Sequence, residues 1–186
     1  MALVTSTYQA DLEIRGGDGR TVVGIAVPFD QPTEIRELGR SYREVFRRGA
    51  FARTIAERGP SRVKFLALHD FRKLPLGRAE VLTEDAGGLY GEFRVSKTRD
   101  GDEALELIRD GALDGLSVGF EPVQSGDKWN RSENMLERIE VKLREVSAVW
   151  ASTYRGAVIS AVRSEAIPPH LSAEAAAARL RLLLKG

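Results

Sequence analysis

Apolar residues recur along this chain mostly at every second position, and at helical spacing in only a few places. Leu12 and Ile14 alternate with charged neighbours, and Gly16-Gly17-Asp18-Gly19 predicts a tight turn. Arg20 to Val27 returns as a strand that Pro28 ends. A loop rich in proline and charge extends to about Arg40, and a short strand follows from Tyr42 to Phe46. Gly49 to Arg58 predicts a short helix, with Phe51 and Ile55 on one face and Gly59-Pro60 stopping it. Val63 to Leu68 is apolar enough for a buried strand. Leu76 to Leu82 and Leu89 to Val95 predict two strands joined by a turn at Glu84 to Gly88. Asp102 to Arg109 predicts a helix with Leu105 and Ile108 on one face, and Leu116 to Val123 a strand. Gln124 to Asn134 is polar and reads as an exposed loop, whereas Leu136 to Val149 carries the longest alternation. Ala157 to Val162 is another short strand.

The pattern changes after Pro168-Pro169. Ser172 can cap a helix containing Ala175 to Leu180. Leu180, Leu182, Leu183 and Leu184 need a partner, either the domain itself or a second copy of the chain in a homo-oligomer. The expected division is a domain over residues 1–165 and a helical tail over 166–186. The sum is a mostly antiparallel β domain with two or three helices. Strands do not alternate regularly with long helices, which argues against a doubly wound sheet.

Composition narrows the chemistry. A chain of 186 residues with 42% hydrophobic content suits one domain with a sizeable core. Net charge is +1, from 28 basic and 27 acidic residues mixed throughout, so a nucleic-acid partner is not expected. The chain has no cysteine, which removes thiol catalysis, cysteine metal sites and disulfides. No apolar run reaches the roughly 18 to 20 residues that span a membrane. The first residues lack a basic region followed by a continuous apolar one, so a cytoplasmic protein is expected.

Three segments stand out chemically: Leu68-His69-Asp70, Gly115-Leu116-Ser117-Val118-Gly119-Phe120 and Arg144-Glu145-Val146-Ser147. They supply a base, a hydroxyl nucleophile and an acid, the three groups that acyl transfer by serine requires. Of the two histidines, His69 ends an apolar strand and would share a face with Phe65 and Ala67, while His170 follows Pro168-Pro169 at the start of the tail helix. A structural histidine is the plain alternative for His69. Ser117 shares its face with Gly115 and Gly119, which leaves room beside the hydroxyl for a substrate backbone. The alternative is a serine in a strand that needs close backbone packing. Glu145 interrupts an otherwise apolar face formed by Ile139, Val141, Leu143 and Val149, with only Ser147 beside it. A carboxylate there is costly unless paired, so either a histidine meets it or a bulge turns it outward. Asp70 is a weaker third member, because adjacent residues on a strand point opposite ways.

Gly115 to Gly119 also fits the G-x-S-x-G pattern of α/β-hydrolase elbows, which would support an esterase. That elbow needs strand, sharp turn and helix, whereas here the helix precedes the serine. The histidine spacing offers no metal site, the glycine cluster lacks the lysine of a phosphate loop, and no cofactor is expected.

At these residues the chain resembles the prohead (capsid maturation) proteases of tailed bacteriophages, the HK97 family, which are similar in fold to the herpesvirus assemblins. The matching segments are Gly24 to Phe29, Arg43 to Phe51, Leu66 to Asp70, Leu76-Gly77-Arg78, Gly115 to Phe120 and Leu143 to Ser147. Together they cover about residues 10 to 163, and their order is more specific than any one of them. The resemblance implies a mainly antiparallel β fold with a β-barrel-like core and surrounding helices, a herpesvirus-protease-like α+β class. It implies His69 as base, Ser117 as nucleophile and Glu145 as the third member of a catalytic triad. The herpesvirus relatives use a histidine in that third place. By the same resemblance Arg155, in Thr153-Tyr154-Arg155-Gly156, stands in a place comparable to the loop whose backbone amide helps bind the oxyanion, with a plain hairpin turn as the alternative. The implied partners are the scaffold protein and the major capsid protein, cut inside assembling proheads in the bacterial host cytoplasm. A module of the same fold that binds capsid or scaffold without cutting is the main rival.

Overall fold

In the computed structural model, which describes residues 3–9, 12–37 and 40–150, an eight-stranded and a four-stranded sheet enclose one apolar core. The large sheet runs in the order β1 (Val4–Gln9), β9 (Gly115–Pro122), β12 (Val141–Val149), β6 (Lys64–Ala67), β7 (Gly77–Glu84), β8 (Gly88–Val95), β3 (Thr21–Pro28) and β2 (Glu13–Arg15). The small sheet runs β10 (Asp127–Asn130), β11 (Met135–Arg138), β5 (Arg40–Phe46) and β4 (Thr33–Glu37). Neighbours are antiparallel except β12 with β6 and β11 with β5, which makes both sheets mixed. The large sheet curls until β3 lies against β9 and β1, giving a half-barrel.

Two helices complete the described fold: α1 (Ala52–Arg58) and α2 (Arg99–Arg109). The Thr98 hydroxyl caps α2 by accepting from the Gly101 N–H at 3.2 Å. Asp100 and Asp102 in its first turn and Arg109 in its last complement the helix dipole. Ala104, Leu105 and Ile108 give α2 one buried face. The helix α1 ends at Gly59, whose φ of 72° suits a residue without Cβ. Between the sheets, Phe46 stacks on Phe51 with centroids 5.4 Å apart and meets Phe120 edge-on at 5.3 Å.

The sequence pattern missed three strands. β1 and β4 are short and polar, and β10 lies within the segment Gln124 to Asn134 that reads as a loop. β4 and β10 are the outer strands of the small sheet, so partnership rather than an apolar pattern makes them strands. The long alternating run from Leu136 is also two strands. It breaks at Ile139-Glu140, where the Ile139 N–H donates to the Gly126 carbonyl at 2.6 Å. The expected strand Ala157 to Val162, the tail helix and the 165/166 boundary lie outside the described residues.

Candidate active site

Three local devices bring distant side chains together. Ser117 sits in the middle of β9, flanked by β1 and β12. His69 follows β6, which ends at Ala67 rather than continuing. Leu68 and His69 are both left-handed, with φ of 54° and 56°. Such backbone costs about 1–3 kcal/mol per residue and persists only when its surroundings hold it. Here the Leu68 N–H donates to the Ala148 carbonyl at 3.0 Å, and the His69 N–H donates to Ser147 Oγ at 3.1 Å. The expected sharing of one strand face by Phe65, Ala67 and His69 is therefore wrong. The turn, not strand alternation, aims the imidazole.

The third device is a β-bulge in β12. Leu143 pairs with Phe120 and Glu145 with Gly119, so Arg144 is an extra residue. Val141 and Leu143 face the core before the bulge, and Val146 and Ala148 face it afterwards. The bulge thus shifts the phase and moves Glu145 and Ser147 onto the face of Ser117. Arg144 turns aside to pair with Glu121 through two bonds of 2.8 and 2.6 Å.

Together these place His69 between two oxygens. Its Nδ1 is 2.6 Å from Glu145 Oε1 and its Nε2 is 2.6 Å from Ser117 Oγ. A carboxylate facing Nδ1 requires the proton there, which leaves Nε2 free to accept from the Ser117 hydroxyl. Glu145 is buried, and Ser147 Oγ donates to its other oxygen at 2.6 Å. Both carboxylate oxygens are therefore satisfied, as a buried charge demands. Ser147 is directly opposite Ser117 and joins the Glu145 carboxylate to the His69 backbone. Its role was not legible locally, because a serine within an alternating strand shows no sign of its partners.

The expectation of free space beside Ser117 does not hold. A Cβ on Gly119 would lie 2.1 Å from Glu145 Oε1, and one on Gly115 would lie 3.0 Å from the Tyr8 carbonyl oxygen. The glycines make room for the carboxylate and for β1. Ser117 is completely buried. Thr7 Oγ1 donates to Ser117 Oγ at 2.9 Å, and the Ser6 carbonyl oxygen lies 3.1 Å from it. The Ser6 hydroxyl in turn donates to buried Glu44 at 2.6 Å, which pairs with Arg138 at 2.8 Å. Arg138 reaches on to Asp127 at 2.6 Å, tying β1 to the small sheet through a buried polar network.

Asp70 does not face the imidazole. Its carboxylate accepts from the Arg72 side chain and N–H, and the guanidinium holds its carboxyl below the usual range. Residues 67–73 line a surface hollow of about 540 Å³, with Phe71 and Leu74 exposed nearby. Past Ser117, β9 continues to Pro122 with no strand–turn–helix elbow, contrary to what an esterase would need. Arg155 and His170 lie outside the described residues.

The sequence matches the caudovirus prohead serine protease family over residues 8–170. The chain belongs to this family. Its structure is similar to that of the capsid assembly protease of bacteriophage T4, with a TM-score of 0.55 at 17% identity. The match covers 80% of this chain and 98% of that one, and at this identity it speaks for a shared fold. No curated protein sequence gives a significant match. Membership in the prohead protease family supports a proteolytic role in capsid maturation. Among the described residues, no helix is long and apolar enough to cross a membrane.

Proposed function

We propose that this prohead-family chain is a serine endopeptidase using Ser117 as nucleophile, His69 as general base and acid, and Glu145 as the group that orients the imidazole. The observation that carries this reading is the unbroken line of two 2.6 Å contacts from Ser117 through His69 to Glu145. Both distances fall within the range in which proton transfer is direct.

In this mechanism Ser117 Oγ attacks the scissile carbonyl carbon while its proton passes to His69 Nε2. Glu145 holds the Nδ1 proton and stabilises the imidazolium. As the tetrahedral intermediate collapses, His69 returns the proton to the leaving amine, and an ester to Ser117 remains. Water then gives its proton to His69 and attacks the ester, releasing the acid and restoring the hydroxyl. We assign an oxyanion donor to the backbone near Arg155. The substrates proposed are the scaffold protein and the N-terminal region of the major capsid protein, cut within the assembling prohead in the host cytoplasm. The same reading relates the half-barrel to the herpesvirus assemblins and leaves the tail from residue 166 as a separate element.

The test is co-expression with the cognate capsid and scaffold proteins, beside a Ser117→Ala chain, followed by intact mass measurement of assembled particles. Defined fragments only with Ser117 present are the expected result. Uncut proteins from both, in assembled particles, would instead make the chain a capsid-binding module.

A further inference from the structure

The sheet face that carries Glu145 also carries a row of like charges. Lys64 on β6 is the cross-strand partner of Arg78 on β7, and Arg78 is the partner of Arg94 on β8. Like charges directly opposite one another destabilise a sheet. Lys97 joins these three in lining a surface hollow of about 490 Å³. Arg94 is held by Asp18 through bonds of 2.7 and 2.5 Å. Among the described residues, Lys64 reaches only the Ser61 carbonyl, and no carboxylate pairs with Arg78 or Lys97. Packing accounts for the neighbouring glycine but not for the charges. A Cβ on Gly77 would lie 1.8 Å from the Arg94 carbonyl oxygen, whereas the Arg78 side chain is exposed. The segment Leu76-Gly77-Arg78 thus has a structural reason for its glycine and none within the fold for its arginine.

The row begins at the candidate site. Lys64 is the partner of Glu145 on β12, and cross-strand partners share a face. Residues 67–73 line the hollow beside His69 and Pro75 lines the basic one, so only exposed Leu74 separates the two along the chain. Adjacent strands lie about 4.8 Å apart, which puts Arg78 about 10 Å and Arg94 about 14 Å from Glu145 across the sheet. An extended peptide advances about 3.3 Å per residue, so it spans that distance in about three or four residues. We infer that the row formed by Lys64, Arg78, Arg94 and Lys97 is a docking site for an acidic segment of the polypeptide to be cut, about three or four residues from the part that lies over the triad. This rests on the proteolytic reading of the same face. The carboxylates offset the like-charge repulsion that the fold leaves in place. Exposed Glu80, two positions after Arg78, and Glu92, two before Arg94, border the row, so the positive stripe is narrow. It suits a short string of carboxylates rather than the broad phosphate surface of a nucleic-acid duplex.

The test is fluorescence anisotropy of labelled hexaglutamate with the full-length chain at low salt, beside a Gly-Ser peptide of the same length and an oligothymidylate of the same charge. Arg78→Glu is compared with Arg131→Glu, which changes net charge equally but lies in the turn between β10 and β11. The expected result is hexaglutamate bound in preference to both other probes. Arg78→Glu should weaken it by at least about tenfold and Arg131→Glu by less than about twofold. Arg78→Glu should also raise the melting temperature, because it sets opposite charges across both cross-strand pairs. Equal weakening by the two variants, or none, would overturn the docking site. A lower melting temperature in Arg78→Glu would make the arginine a structural residue and overturn it too. Oligothymidylate bound more tightly than hexaglutamate, in an Arg78-dependent way, would assign the row to nucleic acid instead. Labelling by a fluorophosphonate, which forms a covalent bond to a reactive serine, reports Ser117 separately. Absence of label beside Arg78-dependent hexaglutamate binding would count against the nucleophile and leave the acidic-segment site standing.

Discussion

Gly119→Ala tests the arrangement at its tightest point. The new Cβ would stand 2.1 Å from Glu145 Oε1, 3.0 Å from Cδ and 3.2 Å from Cγ. A carbon–oxygen contact relaxes only near 3.4 Å, so the carboxylate must retreat by roughly 1 Å or more. Its retreat is not free, because Oε1 is held by His69 and Oε2 by Ser147. Moving away breaks at least one charge-assisted bond, worth about 1.5–3 kcal/mol. Misplacement of a catalytic group by about 1 Å costs on the order of a hundredfold in rate. Overpacking should cost about 1–3 kcal/mol of stability. The assay compares the fluorophosphonate labelling rate at Ser117 with the melting temperature. Leu105→Ala is the control, because it opens a cavity beneath the buried face of α2, costs about 2–5 kcal/mol and leaves the carboxylate alone. Gly119→Ala should lose about a hundredfold in rate and Leu105→Ala almost nothing. In a Glu145→Ala background the Gly119 change should add no further loss, since the clash has gone. A Gly119→Ala chain that labels within about twofold of the wild type would refute the argument that this carboxylate must stay where it is.

Ser147→Ala removes both the donor to Glu145 and the acceptor of the His69 N–H. Cleavage should slow by about tenfold or more through kcat, with KM unchanged, and Ser147→Thr, which keeps the hydroxyl, should recover most of it. Glu44→Gln leaves buried Arg138 without its full charge partner, and denaturant titration should show a loss of about 3–5 kcal/mol. Asp18 is held down to about 2 by its bond to Arg94, below its ordinary 3.8. A depressed carboxyl contributes stability that is present above pH 3.8 and is lost as pH falls through about 2. Asp18→Asn should therefore flatten the acid limb of a melting-temperature profile between these pH values and leave its shape at neutral pH unchanged.

Much of the chemistry was visible without coordinates. Alternation located most of the core strands, Gly59-Pro60 ended α1, and Leu105 and Ile108 marked a helix over Asp102 to Arg109, which the structure begins earlier, at Arg99 behind the Thr98 cap. Glu145 was conspicuous because a carboxylate among Val141, Leu143 and Val149 has no cheap local explanation. Both explanations open at that level hold in part: a bulge does intervene, and it turns the carboxylate toward a histidine instead of toward solvent. His69 stood out by its type, but its strand context misled, since left-handed backbone at Leu68 and His69 has no signature in residues other than glycine.

The sequence by itself determined which residue types were available: two histidines, a glycine-flanked serine segment and an acid on an otherwise apolar face, with no thiol in reserve. It also determined the spacing of apolar positions that makes strands. Only the tertiary structure decided which strands are neighbours, and with them the partners of Ser117. Thr7 and Ser147 meet that serine's surroundings from 110 residues before it and from β12, three strands later in the chain, through register alone. Register depends on pairing between distant segments, and a one-residue bulge reverses every face beyond it. A local pattern holds no record of either, so the covering strand β1 and the clamp formed by Ser147 exist only once the chain has folded.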